Sequence, residues 1–184
     1  MKITKRKNKG GWETLSSKFV HENPFYKIQK DELIFPNKKK GEYFIVKKGD
    51  AVCIVPIEND KIIFVRQYRY VFNDWFLELP CGGVDTNSTT VYVAKKELHE
   101  ETGYESDDIQ EVGKFTTVNG LMDEYMYVFI ARGLKFVGQK LESSEQGMEV
   151  VKIEIDKAYK MIEDGEIKDG QTISALMLAK KYIT

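Results

Sequence analysis

The chain has 184 residues and a mass of 21.3 kDa, with 42% apolar and 31% charged residues. This length and composition are typical of one globular domain and exclude collagen, coiled coil and wholesale disorder. The net charge of −1 gives no field that would favour nucleic acid, and no apolar run approaches the ~18 residues of a membrane span. We therefore expect neither a nucleic-acid nor a membrane partner.

The first eleven residues are basic and polar, and no apolar segment follows them, so we predict a flexible arm over 1–11 and no secretory signal. The expected location is the cytoplasm. The two cysteines, Cys53 and Cys81, favour neither a disulfide framework nor a Cys/His zinc site.

Runs of β-branched and aromatic residues, bounded by turn residues, predict a series of strands. Glu58–Asp60 separates two of these runs and predicts a hairpin turn. Pro80 ends another run and is followed by a glycine loop, Cys81–Val84. The predicted strands are Phe25–Ile28, Tyr43–Val46, Ala51–Ile57, Ile62–Val65, Trp75–Leu79, Val112–Val118, Glu124–Ala131 and Glu149–Ile155.

A helix is predicted over Val91–Thr102, with Asn87, Ser88 or Thr89 as its N-cap and Gly103 in the left-handed position after its end. Two further helices are predicted over Asp156–Glu163 and Thr172–Tyr182. Strands mixed with helices in this order predict an α+β fold, arranged as an α/β/α sandwich around a mixed sheet.

The helix over Val91–Thr102 carries an acidic stripe beside an apolar one. Like charges three and four residues apart repel, and the negative end of the helix dipole opposes them further. Such a stripe needs either open solvent, with an i,i+4 pair from Lys96 to Glu100, or a cation. Carboxylates beside a backbone carbonyl suit a hard cation such as Mg²⁺. The acidic stripe is Glu97, Glu100 and Glu101, and the apolar stripe is Val91, Ala94 and Leu98.

The stretch from Gly82 to Tyr104 resembles the Nudix box, G-x5-E-x7-R-E-U-x-E-E-x-G-U, in which U is apolar. Two positions depart from that pattern, because Ser88 stands for the first glutamate and Lys96 for the arginine. The matching positions are Gly82, Glu97, Leu98, Glu100, Glu101, Gly103 and Tyr104.

The resemblance extends to the ADP-ribose pyrophosphatase-like branch of the family and covers roughly Ala51 to the end. It implies a Nudix hydrolase domain over 51–184 and an antiparallel strand region over 12–50 that builds a homodimer. The segments similar to that branch are Arg66–Arg69, Trp75, Leu77–Pro80, Gly120, Asp123–Glu124, Val128–Ala131 and Lys168–Thr172.

The resemblance also implies residue roles. Glu97, Glu101 and the carbonyl of Cys81 would bind Mg²⁺, or Mn²⁺ in its place, and Glu100 would be a third ligand or a base. The general base is assigned to Glu145 first and Glu142 second, with a solvated acidic loop as the alternative.

Substrate contacts are expected from Arg66, Arg69, Glu78, Gly82 and Glu124. A guanidinium can hold a diphosphate with two hydrogen bonds. The alternatives are a salt bridge from either arginine to Glu78, and a surface position for Glu124.

The implied reaction is hydrolysis of the pyrophosphate bond of ADP-ribose or a related nucleoside diphosphate sugar. Its products would be a nucleoside monophosphate and a sugar phosphate. The departures at Ser88 and Lys96 motivate an alternative, a sensor or binding module that holds a nucleotide sugar without cleaving it.

Overall fold

The computed structural model describes residues 6–141 and 143–183. The chain divides into two units. The smaller unit comprises the described residues up to Gly49 together with Val118–Glu124, and the larger unit comprises Asp50–Thr117 and the described residues from Tyr125 onward. Of the helices in the described ranges, none is long and apolar enough to cross a lipid bilayer.

The smaller unit is built on a four-stranded antiparallel sheet, in which each strand pairs with the next along the chain. Val118–Glu124 joins this unit because the Val46 N–H donates to the Leu121 carbonyl at 2.9 Å and the Tyr43 hydroxyl donates to the Gly120 carbonyl at 2.7 Å. The strands are β1 Arg6–Lys7, β2 Glu13–Glu22, β3 Lys27–Ile34 and β4 Lys40–Lys47.

The sequence underpredicts this sheet. Strand β2 is missed altogether, and the strand expected over Phe25–Ile28 begins only at Lys27. Phe25 and Tyr26 instead lie in the turn between β2 and β3, where both backbone N–H groups donate to the Asn23 side chain. Polar residues dominate both strands, so apolar alternation gives little signal, and backbone pairing decides the structure.

The larger unit contains a seven-stranded mixed sheet and three helices. Strand β11 runs parallel to β5, and the other ladders are antiparallel. The elements are β5 Ala51–Glu58, β6 Lys61–Arg69, β7 Asp74–Glu78, β8 Cys81–Gly83, α1 Thr90–Thr102, β9 Tyr104–Glu105, β10 Asp108–Thr116, β11 Tyr125–Arg132, β12 Lys135–Phe136, a 3₁₀ turn Ser143–Glu145, β13 Glu149–Glu154, α2 Ile155–Glu163 and α3 Gly170–Ile183.

Strand β5 lies in the middle of this sheet and is buried over almost its whole length. Because alternate residues of a strand point to opposite faces, β5 contributes to two cores. Cys53 and Val55 pack with residues of α2 and α3, and Val52 and Ile54 pack with residues of α1. The sheet is therefore covered by helices on both faces, which confirms the predicted α+β sandwich.

Helix α1 follows the prediction closely. Thr89 is its N-cap and accepts a hydrogen bond from the Tyr92 N–H, and Gly103 adopts the left-handed conformation with φ of 75°. The assignment of Val91 to the packed stripe is wrong. Val91 lies in the first turn with 41% of its surface exposed, whereas Val93 is buried with Ala94.

The segment between β7 and β8 changes partners within the sheet. Strand β7 pairs with β6 up to Glu78, and β8 pairs with β5 from Cys81. Leu79 and Pro80 make this crossing, and the Pro80 carbonyl accepts from the Ile54 N–H at 2.9 Å. The crossing brings the glycine loop to helix α1.

Candidate metal and active site

Helix α1 buries two glutamates on its inner face. At about 100° per residue, Glu97 and Glu101 lie between Val93 and Leu98 around the helix. Only 9% of Glu97 and 4% of Glu101 is exposed. The two glutamates therefore belong to the packed face itself, rather than to a separate stripe beside it.

Strand β8 meets these glutamates through its backbone. The Cys81 N–H donates to Glu101 Oε2 at 3.0 Å. The Glu97 carboxylate passes so close to Gly82 that a Cβ added there would overlap with it. Glycine is therefore required at position 82 for the observed placement of Glu97.

The two inner carboxylates are in an unfavourable electrostatic environment. Burial raises the pKa of Glu101 well above its usual value, and the charge of Glu97 raises it further, against the opposing hydrogen bond from Cys81. Burial also raises the pKa of Glu97, although Lys96 counteracts part of this effect. The charge of Glu145 raises both pKa values. The structure thus brings together three of the predicted residues, Glu97, Glu101 and Glu145, while Glu142 lies outside the described residues.

Glu100 lies at the edge of this inner face and is paired. Lys96 Nζ lies 2.7 Å from Glu100 Oε2 and 3.3 Å from Glu97 Oε1. The hydrogen bond to Glu100 is the largest cause of the raised pKa of Lys96. The i,i+4 ion pair from Lys96 to Glu100, considered in the sequence analysis, is therefore present. Ser88, the other departure from the box, lies in the turn before α1, where its N–H donates to the Asp85 carbonyl.

The Cys81 thiol lies opposite Cys53 in the β5–β8 ladder, and both cysteines are free. The hydrogen bond with Cys53, followed by burial, raises the pKa of Cys81 well above its usual value. A neutral thiol is a poor nucleophile, so only the backbone of Cys81 is available to the site.

Arg69 and Glu78 form a bidentate pair. Arg69 Nε donates to Glu78 Oε1 at 2.8 Å, its terminal nitrogen contacts Glu78 Oε2, and Gln67 donates to the same oxygen at 3.2 Å. The hydrogen bond with Glu78 is the largest cause of the raised pKa of Arg69. The salt bridge considered for Arg69 is therefore present.

Arg66 has a different partner from the one considered. It pairs with Glu149 at 3.2 Å, and its guanidinium lies 4.7 Å from the centre of the Trp75 ring. The alternative of a salt bridge from Arg66 to Glu78 is therefore wrong, because β13 runs beside β6 and places Glu149 opposite Arg66.

Glu124 belongs to the smaller unit. Only 2% of the residue is exposed, and its Oε1 lies 3.5 Å from Lys48 Nζ. The alternative of a surface glutamate is therefore wrong.

Two residues that hold the end of α1 were not predicted from the sequence. Gln139 Nε2 donates to the Glu101 carbonyl at 2.6 Å, and the Lys140 N–H donates to the Glu100 carbonyl at 3.0 Å. A Cβ at Gly103 would lie 2.8 Å from the backbone nitrogen of Gln139. Gly103 indicated that the helix ends there, but no local pattern indicates which distant segment packs against that end.

The donor set fits a hard divalent cation. It consists of buried carboxylate oxygens beside a backbone segment, and such oxygens are the ligands that Mg²⁺ and Mn²⁺ prefer. Among residues 6–141 and 143–183, no group of three or more acidic, histidine or cysteine side chains is already gathered as a ligand cage. The fit therefore rests on the Glu97–Glu101 pair, whose mutual repulsion a dication would relieve.

Comparison with known families decides the affiliation. The NUDIX domain family matches residues 47–173. The chain belongs to the Nudix family. The family described as the nucleoside diphosphate sugar hydrolase N-terminal domain matches residues 12–46. The resemblance found in the box is therefore confirmed, and the chain is a Nudix-type diphosphatase.

Individual Nudix relatives agree with this affiliation. An ADP-ribose pyrophosphatase from Bacillus subtilis is 29% identical over 166 residues, covering 89% of this chain and 90% of that protein. A GDP-mannose pyrophosphatase from Yersinia enterocolitica is 29% identical over 139 residues, covering 72% and 73%. A crystal structure of an ADP compounds hydrolase has a TM-score of 0.82 at 22% identity, covering 99% and 97%, and shows the same fold. The predicted ADP-ribose pyrophosphatase-like branch is thus confirmed.

Proposed function

We propose that this protein hydrolyses the pyrophosphate bond of ADP-ribose or a related nucleoside diphosphate sugar in a reaction that depends on Mg²⁺, with Mn²⁺ as a substitute. The observation that carries the proposal is the burial of Glu97 and Glu101 against the backbone of Cys81 and Gly82. The substrates named for the relatives from Bacillus subtilis and Yersinia enterocolitica support the substrate class.

The metal ligands in this proposal are Glu97, Glu101 and the carbonyl of Cys81. Glu100 joins them as a further ligand, or acts as a base, once it is released from Lys96. A bound divalent ion would neutralise the phosphate charge and activate water. Burial raises the pKa values of both glutamates, and the charge of Glu97 adds to the effect on Glu101. A bound proton or cation would relieve this unfavourable charge.

The remaining roles belong to groups around this pair. Glu145 is proposed to accept the proton of the attacking water as the new O–P bond forms and the bridging P–O bond breaks. Arg69, oriented by Glu78, and Arg66 neutralise the diphosphate, and Gly82 lets it approach the backbone.

The role expected for Glu124, support of the substrate through water or metal, stays a prediction. For ADP-ribose the products are AMP and ribose 5-phosphate.

A cytoplasmic homodimer remains part of the proposal. The free thiols of Cys53 and Cys81 suit a reducing compartment. Exposed aromatic side chains on the smaller unit, among them Phe19, Phe25 and Phe44, offer apolar surface for the dimer-forming strand region over 12–50 of a second copy. Light scattering should give twice the chain mass of 21.3 kDa, and a mass of one chain at micromolar concentration would contradict the dimer.

The decisive assay incubates the purified protein with ADP-ribose, GDP-mannose and other nucleoside diphosphate sugars in Mg²⁺, with EDTA as the control. We expect nucleoside monophosphate to appear by chromatography only when the metal is present. If the protein binds a nucleotide sugar but releases no monophosphate from any of them, the sensor alternative is correct and the enzymatic proposal is wrong.

A further inference from the structure

Thr172 lies outside the Nudix box, yet its hydroxyl contacts the backbone that leads into the site. Thr172 is in the first turn of α3, and the residue is completely buried. Its Oγ1 accepts a hydrogen bond from the Leu79 N–H at 3.0 Å. Leu79 is itself completely buried, so water is not available to replace the hydroxyl.

The Leu79 N–H needs this partner because of its place in the sheet. The chain leaves the β6 ladder after Glu78 and enters the β5 ladder at Cys81, so Leu79 is at the crossing between two partners. Pro80, which follows, has no N–H to bond to either strand. A side chain from another element must therefore satisfy the buried donor of Leu79.

The position of Thr172 is itself fixed. Its own N–H donates to Asp169 Oδ2 at 2.8 Å, which caps the first turn of α3. The charge of Asp169 also acts on Arg69 and Cys81. The start of α3 is thus a fixed support next to the β7–β8 crossing.

The residues on either side of Leu79 belong to the candidate site. Glu78 precedes it and holds Arg69. Cys81 follows two residues later, and its N–H donates to Glu101. A displacement of Leu79 would therefore move both Glu78, which holds Arg69, and the Cys81 backbone, which contacts Glu101.

We propose that Thr172 is a positioning residue: its hydroxyl holds the Leu79–Cys81 backbone in place, and with it the Cys81 amide and carbonyl beside Glu101. This inference rests on the proposed function, because it takes Cys81 and Glu101 as the metal-binding groups. It adds to the site a residue on a helix that contributes no ligand.

The test compares Thr172→Val, which keeps the shape and removes the acceptor, with Thr172→Ser, which keeps the acceptor. We expect Thr172→Val to raise the Mn²⁺ dissociation constant about tenfold, measured by calorimetry without substrate. We expect kcat to fall with little change in KM, and Thr172→Ser to stay within about twofold of the original protein. If Thr172→Val does not fold, Thr172→Ala replaces it.

Hydrogen exchange gives a readout that needs no metal. The amides of Leu79 and Cys81 should exchange faster in Thr172→Val than in the original protein, and at the original rate in Thr172→Ser.

The matched control is Ser106→Ala. The buried Ser106 hydroxyl lies between β9 and β10, where it accepts from the Asp108 N–H at 3.0 Å and donates to the Arg132 carbonyl, and we assign this segment no role in the site. This variant should lose buried hydrogen bonds without a change in Mn²⁺ affinity.

The outcomes separate the two proposals. In the first outcome, the original protein and Thr172→Val bind Mn²⁺ and hydrolyse the substrate equally well, and Thr172→Val only melts at a lower temperature, as Ser106→Ala does. The positioning role is then wrong and the proposed function stands. If the original protein neither binds Mn²⁺ nor releases a nucleoside monophosphate, the proposed function fails and the positioning role fails with it.

Discussion

Glu78 and Glu101 are equally buried, with 4% of each residue exposed, but their surroundings are opposite. The Glu78 carboxylate receives two contacts from Arg69 and one from Gln67. The Glu101 carboxylate accepts a hydrogen bond from the Cys81 N–H but faces the negative charges of Glu97 and Glu145. The positive charge of Arg69 offsets this repulsion only weakly. Because a buried charge that is not balanced by a counter-charge costs stability, Glu78 has the environment of a structural ion pair and Glu101 that of a cation ligand.

The largest effect that this contrast predicts is on activity. Glu101→Gln should lower turnover by about a hundredfold or more, because it removes a proposed metal ligand. The melting temperature in EDTA should not fall, because the variant also removes a repelling charge. Steady-state kinetics and thermal melts measure both quantities.

The exposed Glu163 on α2 provides the control for that experiment. Glu163→Gln makes the same chemical change away from the inner face of α1 and should leave turnover unchanged. Unchanged turnover in Glu101→Gln would remove Glu101 from the proposed site.

The neighbouring glycines of the loop give a second, smaller effect. A Cβ at Gly82 would overlap with the Glu97 carboxylate, whereas a Cβ at Gly83 would meet no atom within 4 Å. Gly82→Ala should therefore displace Glu97 and lower kcat/KM about tenfold or more, while Gly83→Ala should retain nearly full activity. Equal activity of the two variants would contradict the placement of Glu97.

For Glu78 the contrast predicts loss of stability instead. Glu78→Gln should lower the free energy of unfolding by about 1–2 kcal/mol, because it weakens a charged hydrogen-bonded pair, one member of which is half-exposed. Urea titration measures this change, with Glu101→Gln as the comparison. A Glu78→Gln variant as stable as the original protein would show that the pair contributes nothing to stability.

The smallest effect is a pH dependence of stability. The pKa values of Glu97 and Glu101 are raised in the folded, metal-free protein, so the folded state binds protons more tightly than the unfolded state. The free energy of unfolding in EDTA should therefore fall as the pH rises above the usual carboxyl pKa of 4.5.

Saturating Mn²⁺ should oppose this fall, because carboxylate ligands bind metal in their deprotonated form. We expect the difference in melting temperature between Mn²⁺ and EDTA to be larger at pH 8 than at pH 5. Glu101→Gln should reduce that difference, and a difference that is the same at both pH values would contradict carboxylate ligation.

Much of the larger unit was predictable because its signals are local. The hairpin at Glu58–Asp60, the apolar run of β5 and the end of α1 at Gly103 each depend on residues adjacent in the chain. The smaller unit was predicted poorly because its strands are polar, and Asn23 rather than an apolar pattern builds the turn between β2 and β3.

The sequence by itself determined the family, the helix α1 and the spacing that puts Glu97 and Glu101 on one side of it, because helical geometry fixes the positions of residues three to five apart. Only the tertiary structure decided that this side faces inward, that Glu149 pairs with Arg66, and that Gln139 and Thr172 contact the site backbone. These partners lie 38 to 93 residues apart in the chain. No local propensity encodes such contacts, which depend on how the strands and helices pack.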